Sequence, residues 1–205
     1  MNYATLAEKE SVAKTAEALR ANGIEAFVVE SGNEAFEKIK GLIPEGASVM
    51  NGSSRTLEQI GFVEYLASGQ HGWNNLHEVI LAEKDQTKQG ALRRQAILSD
   101  YYLGSVHALA ETGEFVIASN TGSQLPHIVF TSPNLIFVVS TKKIVPTLED
   151  ARARLREYVI PLENQHMMEK YGMGTRLSKE VIFHSENPMM GRKVRMVLVS
   201  EDLGF

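Results

Sequence analysis

Cysteine is absent from the 205-residue chain. That excludes disulfides, a cysteine-ligated iron–sulfur cluster and a cysteine nucleophile. It also matches the residue usage of reducing compartments, so the expected location is cytoplasmic. A basic excess is missing too, since the formal net charge is −4 at pH 7. A general polyanion binder shows a basic excess or patch, so nucleic acid is not an expected partner. No apolar run approaches the roughly 20 residues that span a bilayer, and no membrane insertion is expected. The start, Met1-Asn2-Tyr3-Ala4-Thr5-Leu6-Ala7-Glu8, lacks the basic-then-apolar order of a secretory signal. Repeats, low-complexity tracts and linkers are lacking as well. What remains is a chain 43% hydrophobic and long enough for one substantial core, expected to form a single domain over residues 1–205.

The pattern of that core is legible from its punctuation. Thr5-Leu6-Ala7-Glu8 and Ser31-Gly32-Asn33-Glu34 are both capping boxes, each followed by apolar residues at helical spacing. Asn22-Gly23 and Pro44-Glu45-Gly46 are stop signals. Strands are expected at 24–29 and 47–50. The order helix, strand, helix, strand favours a mostly parallel sheet with helices packed on it. A short helix is expected at 54–62, extended or restarted to 67. Residues 74–102 are expected to be helical, with an interruption near 85–90. Strands follow at 105–110, 115–118 and 135–139, the first two joined as a hairpin through Gly113. Pro146 before Thr147-Leu148-Glu149-Asp150 marks a helix start, and Pro161 a kink or break. Residues 180–184 and 194–199 are expected as strands, with 187–192 as a hairpin loop between them.

Three polar loops at expected strand ends can carry chemistry. Asn51-Gly52-Ser53-Ser54-Arg55-Thr56 lies between a strand and a helix, where free N–H groups, hydroxyls and Arg55 can hold a phosphate or carboxylate. Its spacing fits neither the dinucleotide fingerprint nor the P-loop, and the same residues also make an ordinary turn with an N-cap. In Glu111-Thr112-Gly113-Glu114, a tight turn at Gly113 places Glu111 at a strand end, as a base, as a nucleophile in acyl transfer, or as a solvated turn acid. Ser119-Asn120-Thr121-Gly122-Ser123-Gln124 offers hydroxyls and amides to an oxygen-rich ligand, or is simply a turn. Strand alternation would point His107, Leu109 and Glu111 the same way. His71, His77, His107, His127, His166 and His184 form no compact ligand pair, so no metal is expected. Arg93-Arg94 on an expected helix reads as a solvated face, or one of the two turned inward would clamp a carboxylate. Met167, Met168, Met173, Met189 and Met190 read as flexible packing or a subunit contact, leaving a homo-oligomer open.

Taken in order, several of these segments resemble the LUD domain, the family of lactate utilization protein C and its relatives. They are Ser105-Val106-His107-Ala108-Leu109, Glu111-Thr112-Gly113-Glu114, Asn120-Thr121-Gly122-Ser123 and Lys143-Ile144-Val145-Pro146-Thr147-Leu148-Glu149-Asp150-Ala151. The likeness is strongest from Leu103 to about Arg156, and Asn51-Gly52-Ser53-Ser54 falls where such proteins carry a comparable turn. The resemblance implies an α/β fold of three layers, a mostly parallel sheet with flanking helices and an antiparallel portion, akin to the NagB/RpiA/CoA-transferase group. It implies a role in oxidising L-lactate to pyruvate beside iron–sulfur oxidoreductase subunits, which would carry the cluster and flavin; no covalently bound cofactor is expected here. The implied ligand is a small anionic metabolite. Asn51, Gly52, Ser53 and Ser54 would hold it, Glu111 would act as acid/base or nucleophile, and His107, Asn120, Thr121, Gly122 and Ser123 would line the pocket. A non-catalytic subunit or regulator of such a complex, and a sugar-phosphate isomerase or CoA transferase, are the alternatives. The sequence departs from many relatives at His107, where they carry Asn, and at Gly122-Ser123-Gln124, where they carry Gly-Asn-Arg.

Overall fold

Alternate residues of one long central strand face two different cores. In β7 (Asn134–Ser140), Leu135, Phe137 and Val139 join one apolar cluster, and Ile136 and Val138 join another. A strand buried on both faces reads as a continuous apolar run, as parallel strands under helices do. The computed structural model, which describes residues 2–205, sets this strand in an α/β framework.

The first half runs α1 (Lys9–Ala21), β1 (Glu25–Val29), α2 (Gly32–Leu42), β2 (Ser48–Asn51), α3 (Arg55–Gln59), α4 (Phe62–Ser68), β3 (Asn74–Asn75), α5 (Leu76–Ala82) and α6 (Gln86–Gln95). Next come β4 (Tyr101–Gly104), β5 (Ala108–Ala110), β6 (Phe115–Ser119) and β7. The chain finishes with β8 (Ile144–Val145), α7 (Leu148–Arg154), α8 (Ile160–Tyr171), β9 (Lys179–Phe183) and β10 (Lys193–Val199). Six strands form one sheet in the order β1-β10-β7-β4-β2-β3, paired in parallel throughout. The other four form a mixed sheet, β8-β5-β6-β9, with the antiparallel β5–β6 hairpin turning at Gly113 (φ +92°).

Three apolar clusters fix the layers. Val12, Ala16 and Leu19 of α1 pack with Leu109, Phe115 and Ile117 of the small sheet against the inner face of the large sheet. Ala35, Ile39, Leu57, Phe62 and Leu66 cover its outer face. Ala151, Leu155 and Val159 cover the far face of the small sheet. Each fully buried Leu, Ile or Phe among these contributes about 1.5–3 kcal/mol relative to exposure.

Several local expectations are corrected. Helix α1 begins at Lys9 with Glu8 as its N-cap and no side-chain cap bond, so Thr5 does not start it. At α2 the Ser31 hydroxyl does accept from the Glu34 N–H, but the Glu34 carboxylate reaches one residue further back, to the Glu30 N–H. The expected helix to residue 102 stops at 98, because Tyr101–Gly104 is wholly buried as β4 between β2 and β7. The expected 180–199 hairpin does not form: β9 pairs with β6, whereas β10 enters the other sheet between β1 and β7. Among the described residues no helix is long and apolar enough to cross a membrane.

Candidate functional site

Loops following the carboxyl ends of β2, β4 and β6 converge on a cavity of about 680 Å³. This is where open α/β sheets place their ligands. Asn51 at the end of β2 lines it with Gly52, Ser53 and Ser54 beyond, as do Ser105, Val106 and His107 after β4, and Asn120, Thr121 and Ser123 after β6. Helix α8 and the segment after it bring Glu163, Met167, Thr175 and Arg176 to the same wall. Two π-helical turns, His127–Thr131 and Leu155–Val159, also contribute wall residues: His127, Leu155 and Val159. Such turns are rare and recur at functional sites.

The first loop is tightly built. A Cβ on Gly52 would collide with the Tyr102 hydroxyl and stand 3.0 Å from Gln124 Oε1, so this position requires glycine for close approach. Ser54 caps α3, its hydroxyl accepting from the Leu57 N–H at 3.3 Å. Asn51 is buried, and its Nδ2 donates to the Gly52 carbonyl. That bond turns Oδ1 toward His77, whose Nδ1 therefore donates across 3.1 Å. The remaining His77 nitrogen, Nε2, keeps a lone pair. Burial, then the Arg93 charge, lowers the His77 pKa.

His107 has the opposite tautomer. The Ala118 N–H donates to its Nδ1 at 3.1 Å, so the neutral ring carries its proton on Nε2. Burial, with the Lys143 and Arg154 cations, drives its pKa down to about 3, so it is a neutral hydrogen-bond donor at physiological pH. His127 stacks on Tyr102 at 4.6 Å and turns Nδ1 toward the buried hydroxyls of Ser99 and Ser132, each 3.2 Å away. Burial lowers its pKa to about 4. The basic side chains on the wall, histidines aside, are Arg55, Arg93, Lys143 and Arg176, against the acidic side chain of Glu163, whose pKa burial raises.

The structure thus gathers Asn51, Gly52, Ser53, Ser54, His107, Asn120, Thr121 and Ser123 around one cavity. Gly122 supports the third loop from outside the lining, at φ +88°, its N–H donating to Ser119. Glu111 does not join them. Its carboxylate is held by Lys14 at 2.7 Å and Ser11 at 2.6 Å on α1, which in that order lower its pKa. The expected shared face of His107, Leu109 and Glu111 fails because β5 begins only at Ala108: Leu109 and Glu111 turn toward α1 and His107 toward the cavity. Arg93 does reach the wall. Sequence reasoning passed over Lys143 as a site residue, although a lysine pair inside the apolar run 135–145 is an available signal, because lysine is almost never fully buried unless paired. It also passed over Glu163 and Arg176, which lie on a helix and loop with no marking pattern. Among the described residues no group of three or more His, Asp or Glu side chains is placed to hold a metal.

Fold and site together define an α/β protein whose strand-end loops border a cavity with a surplus of basic side chains. Residues 12–175 match the LUD domain, and the chain belongs to the LUD domain family. Its fold is that of a DUF162 family protein from Deinococcus radiodurans, 12% identical, with a TM-score of 0.56 over 96% of this chain and 100% of that one. Ribose 5-phosphate isomerase A from Neisseria gonorrhoeae gives a TM-score of 0.39 at 14% identity, over 85% of this chain and 94% of that one. No curated protein matches the sequence.

Proposed function

We propose that this LUD protein binds a small carboxylate or phosphorylated metabolite in the strand-end cavity and serves cytoplasmic organic-acid metabolism, in the oxidation of L-lactate to pyruvate. The observation that carries the ligand class is the basic character of the wall, where the side chains of Arg55, Arg93, Arg176 and Lys143 face one acidic side chain, Glu163. The pathway rests on the family alone. His107 Nε2–H donates to a ligand oxygen, and His77 Nε2 accepts from a ligand hydroxyl. A 2-hydroxy acid presents both kinds of partner. Glu111, engaged by Ser11 and Lys14, is left out of the chemistry.

Calorimetry with L-lactate, pyruvate, a CoA ester and a sugar phosphate tests this. Binding of one of them, weakened about tenfold or more by Arg93→Ala and unchanged by Glu111→Gln, is the expected result; each lost charge-assisted hydrogen bond accounts for about 1.5–3 kcal/mol. A protein that binds none of the four overturns the reading. A second reading, a subunit of an iron–sulfur oxidoreductase assembly, is supported by exposed apolar side chains, including Leu98, Phe130, Met173, Met189 and Met190. Copurification from the native host with iron–sulfur subunits is its expected result, and a chain isolated with no partner argues against it.

A further inference from the structure

Lys143 is 4% exposed and lies at the cavity wall. Its Nζ donates to three uncharged oxygens: Ser105 Oγ at 3.0 Å, Thr56 Oγ1 at 3.2 Å and the Val106 carbonyl at 3.2 Å. Among the described residues the charged side chains around it do not supply a negative charge. Lys142, beside it in the chain, takes the Asp202 carboxylate for itself. Arg154 on α7 is fully buried, gives one N–H to the His107 carbonyl, and leaves Nε and Nη2 without partners. On α3, Arg55 faces His166 and Phe205, and Glu58 pairs with Lys170. His107 on the facing loop is neutral. Among the described residues no carboxylate stands within 4.0 Å of Lys143 Nζ.

An ammonium buried among neutral oxygens and beside other cations is costly by several kcal/mol. Two events relieve that cost: loss of the proton, or arrival of an anion. The cavity gives an anion its route. We propose that Lys143, Ser105 and Thr56 form an anion subsite in the cavity wall, where a ligand carboxylate or phosphate is the counter-ion the chain withholds and Lys143 takes up a proton as it binds. The inference rests on the anionic-ligand reading above, and adds to it the anchoring residue and a coupled proton. The balance is simple: the free amine, one proton from the buffer and the anion give an ammonium–anion pair. In the empty cavity burial draws the Lys143 pKa down to about 7, with Arg154 and then Lys142 adding to the shift, so the amine predominates at pH 8. An adjacent negative charge opposes that shift and favours the ammonium.

Calorimetric titration with L-lactate, pyruvate and inorganic phosphate, at pH 8 in two buffers of different ionisation enthalpy, measures the proton directly. The expected uptake approaches one proton per ligand at pH 8 and falls toward zero by pH 6. Lys143→Arg, permanently charged, is expected to bind with no uptake. Lys143→Met is expected to bind at least tenfold more weakly, also without uptake. If the bulkier arginine fails to fold, the nitrogen-detected titration of Lys143 in the wild-type protein decides: its midpoint must rise when phosphate is added, and a fixed midpoint overturns the proposal. Binding with equal heats in both buffers, or uptake that persists in Lys143→Arg, overturns the subsite and leaves the anionic-ligand reading standing. No binding of any probe overturns both.

Discussion

A lysine that surrenders its water shell for three neutral oxygens stabilises a site better than it stabilises a fold. Removing such a group in favour of an apolar side chain of similar volume is often neutral or stabilising. Lys143→Met is therefore expected to raise unfolding stability at pH 7 by about 1–2 kcal/mol while it weakens anion binding, measured by urea denaturation beside calorimetry. A loss of stability would show that its three hydrogen bonds outweigh its desolvation. Gly52 makes the converse case. Alanine there must displace the Tyr102 hydroxyl or Gln124, and overpacking of this kind costs about 1–3 kcal/mol. Gly52→Ala should lower the urea midpoint accordingly; an unchanged midpoint would mean that the loop moves without strain. At this scale the sequence discloses residue types better than their neighbours. The hydroxyls and amides of Asn51–Ser54 and Asn120–Ser123 announce themselves as polar loops. Glu111 carries the same chemical promise, but only the fold decides that Ser11 and Lys14, about a hundred positions earlier, claim its carboxylate.

Elements are legible where a local signal is strong. Pro146-Thr147-Leu148-Glu149-Asp150 marks the expected helix start, and there Thr147 and Asp150 form a capping box, each side chain serving the other's backbone N–H. Because α7 covers the small sheet through Ala151, fraying its first turn reaches the core. Thr147→Ala is expected to cost about 1 kcal/mol, read from chemical denaturation; less than a few tenths would mean that packing alone holds the helix start. The elements that eluded sequence reasoning have no such signal. Strand β4 is four residues long and buried throughout, so it shows neither alternation nor a helical stripe. The pairing of β9 and β10 is set by which sheet each strand completes, and the loop 187–192 has hairpin composition without hairpin partners. The β5–β6 hairpin was readable because its turn glycine and its partners lie within a few residues.

At the scale of the whole molecule, the loops that follow the parallel sheet meet the loop after β6 of the mixed sheet at the cavity, and the price of that arrangement is neutral histidine. His107 and His127 are held with pKa values near 3 and 4, whereas an unfolded histidine titrates near 6.5. A depressed folded pKa means that the unfolded chain binds these protons first. Their contribution to stability is present above pH 6.5 and is lost as pH falls toward 4. Two protons bound only by the unfolded chain give a slope of at most about 2.7 kcal/mol per pH unit. The lowered carboxylates Asp100, Glu111 and Glu114 act in the same direction, but only as pH falls through their own, more acidic range. Acid sensitivity should therefore begin well above the carboxylate range. Urea denaturation at intervals from pH 7.5 to 5 is expected to show stability falling by about 2–2.5 kcal/mol per unit below pH 6. His127→Gln, which cannot take up a proton, should flatten that slope by up to about 1.4 kcal/mol per unit. A stability that stays level from pH 7 to 5 would mean that both histidines protonate in the folded cavity, and with it would fall the assignment of His107 as a neutral donor to the ligand.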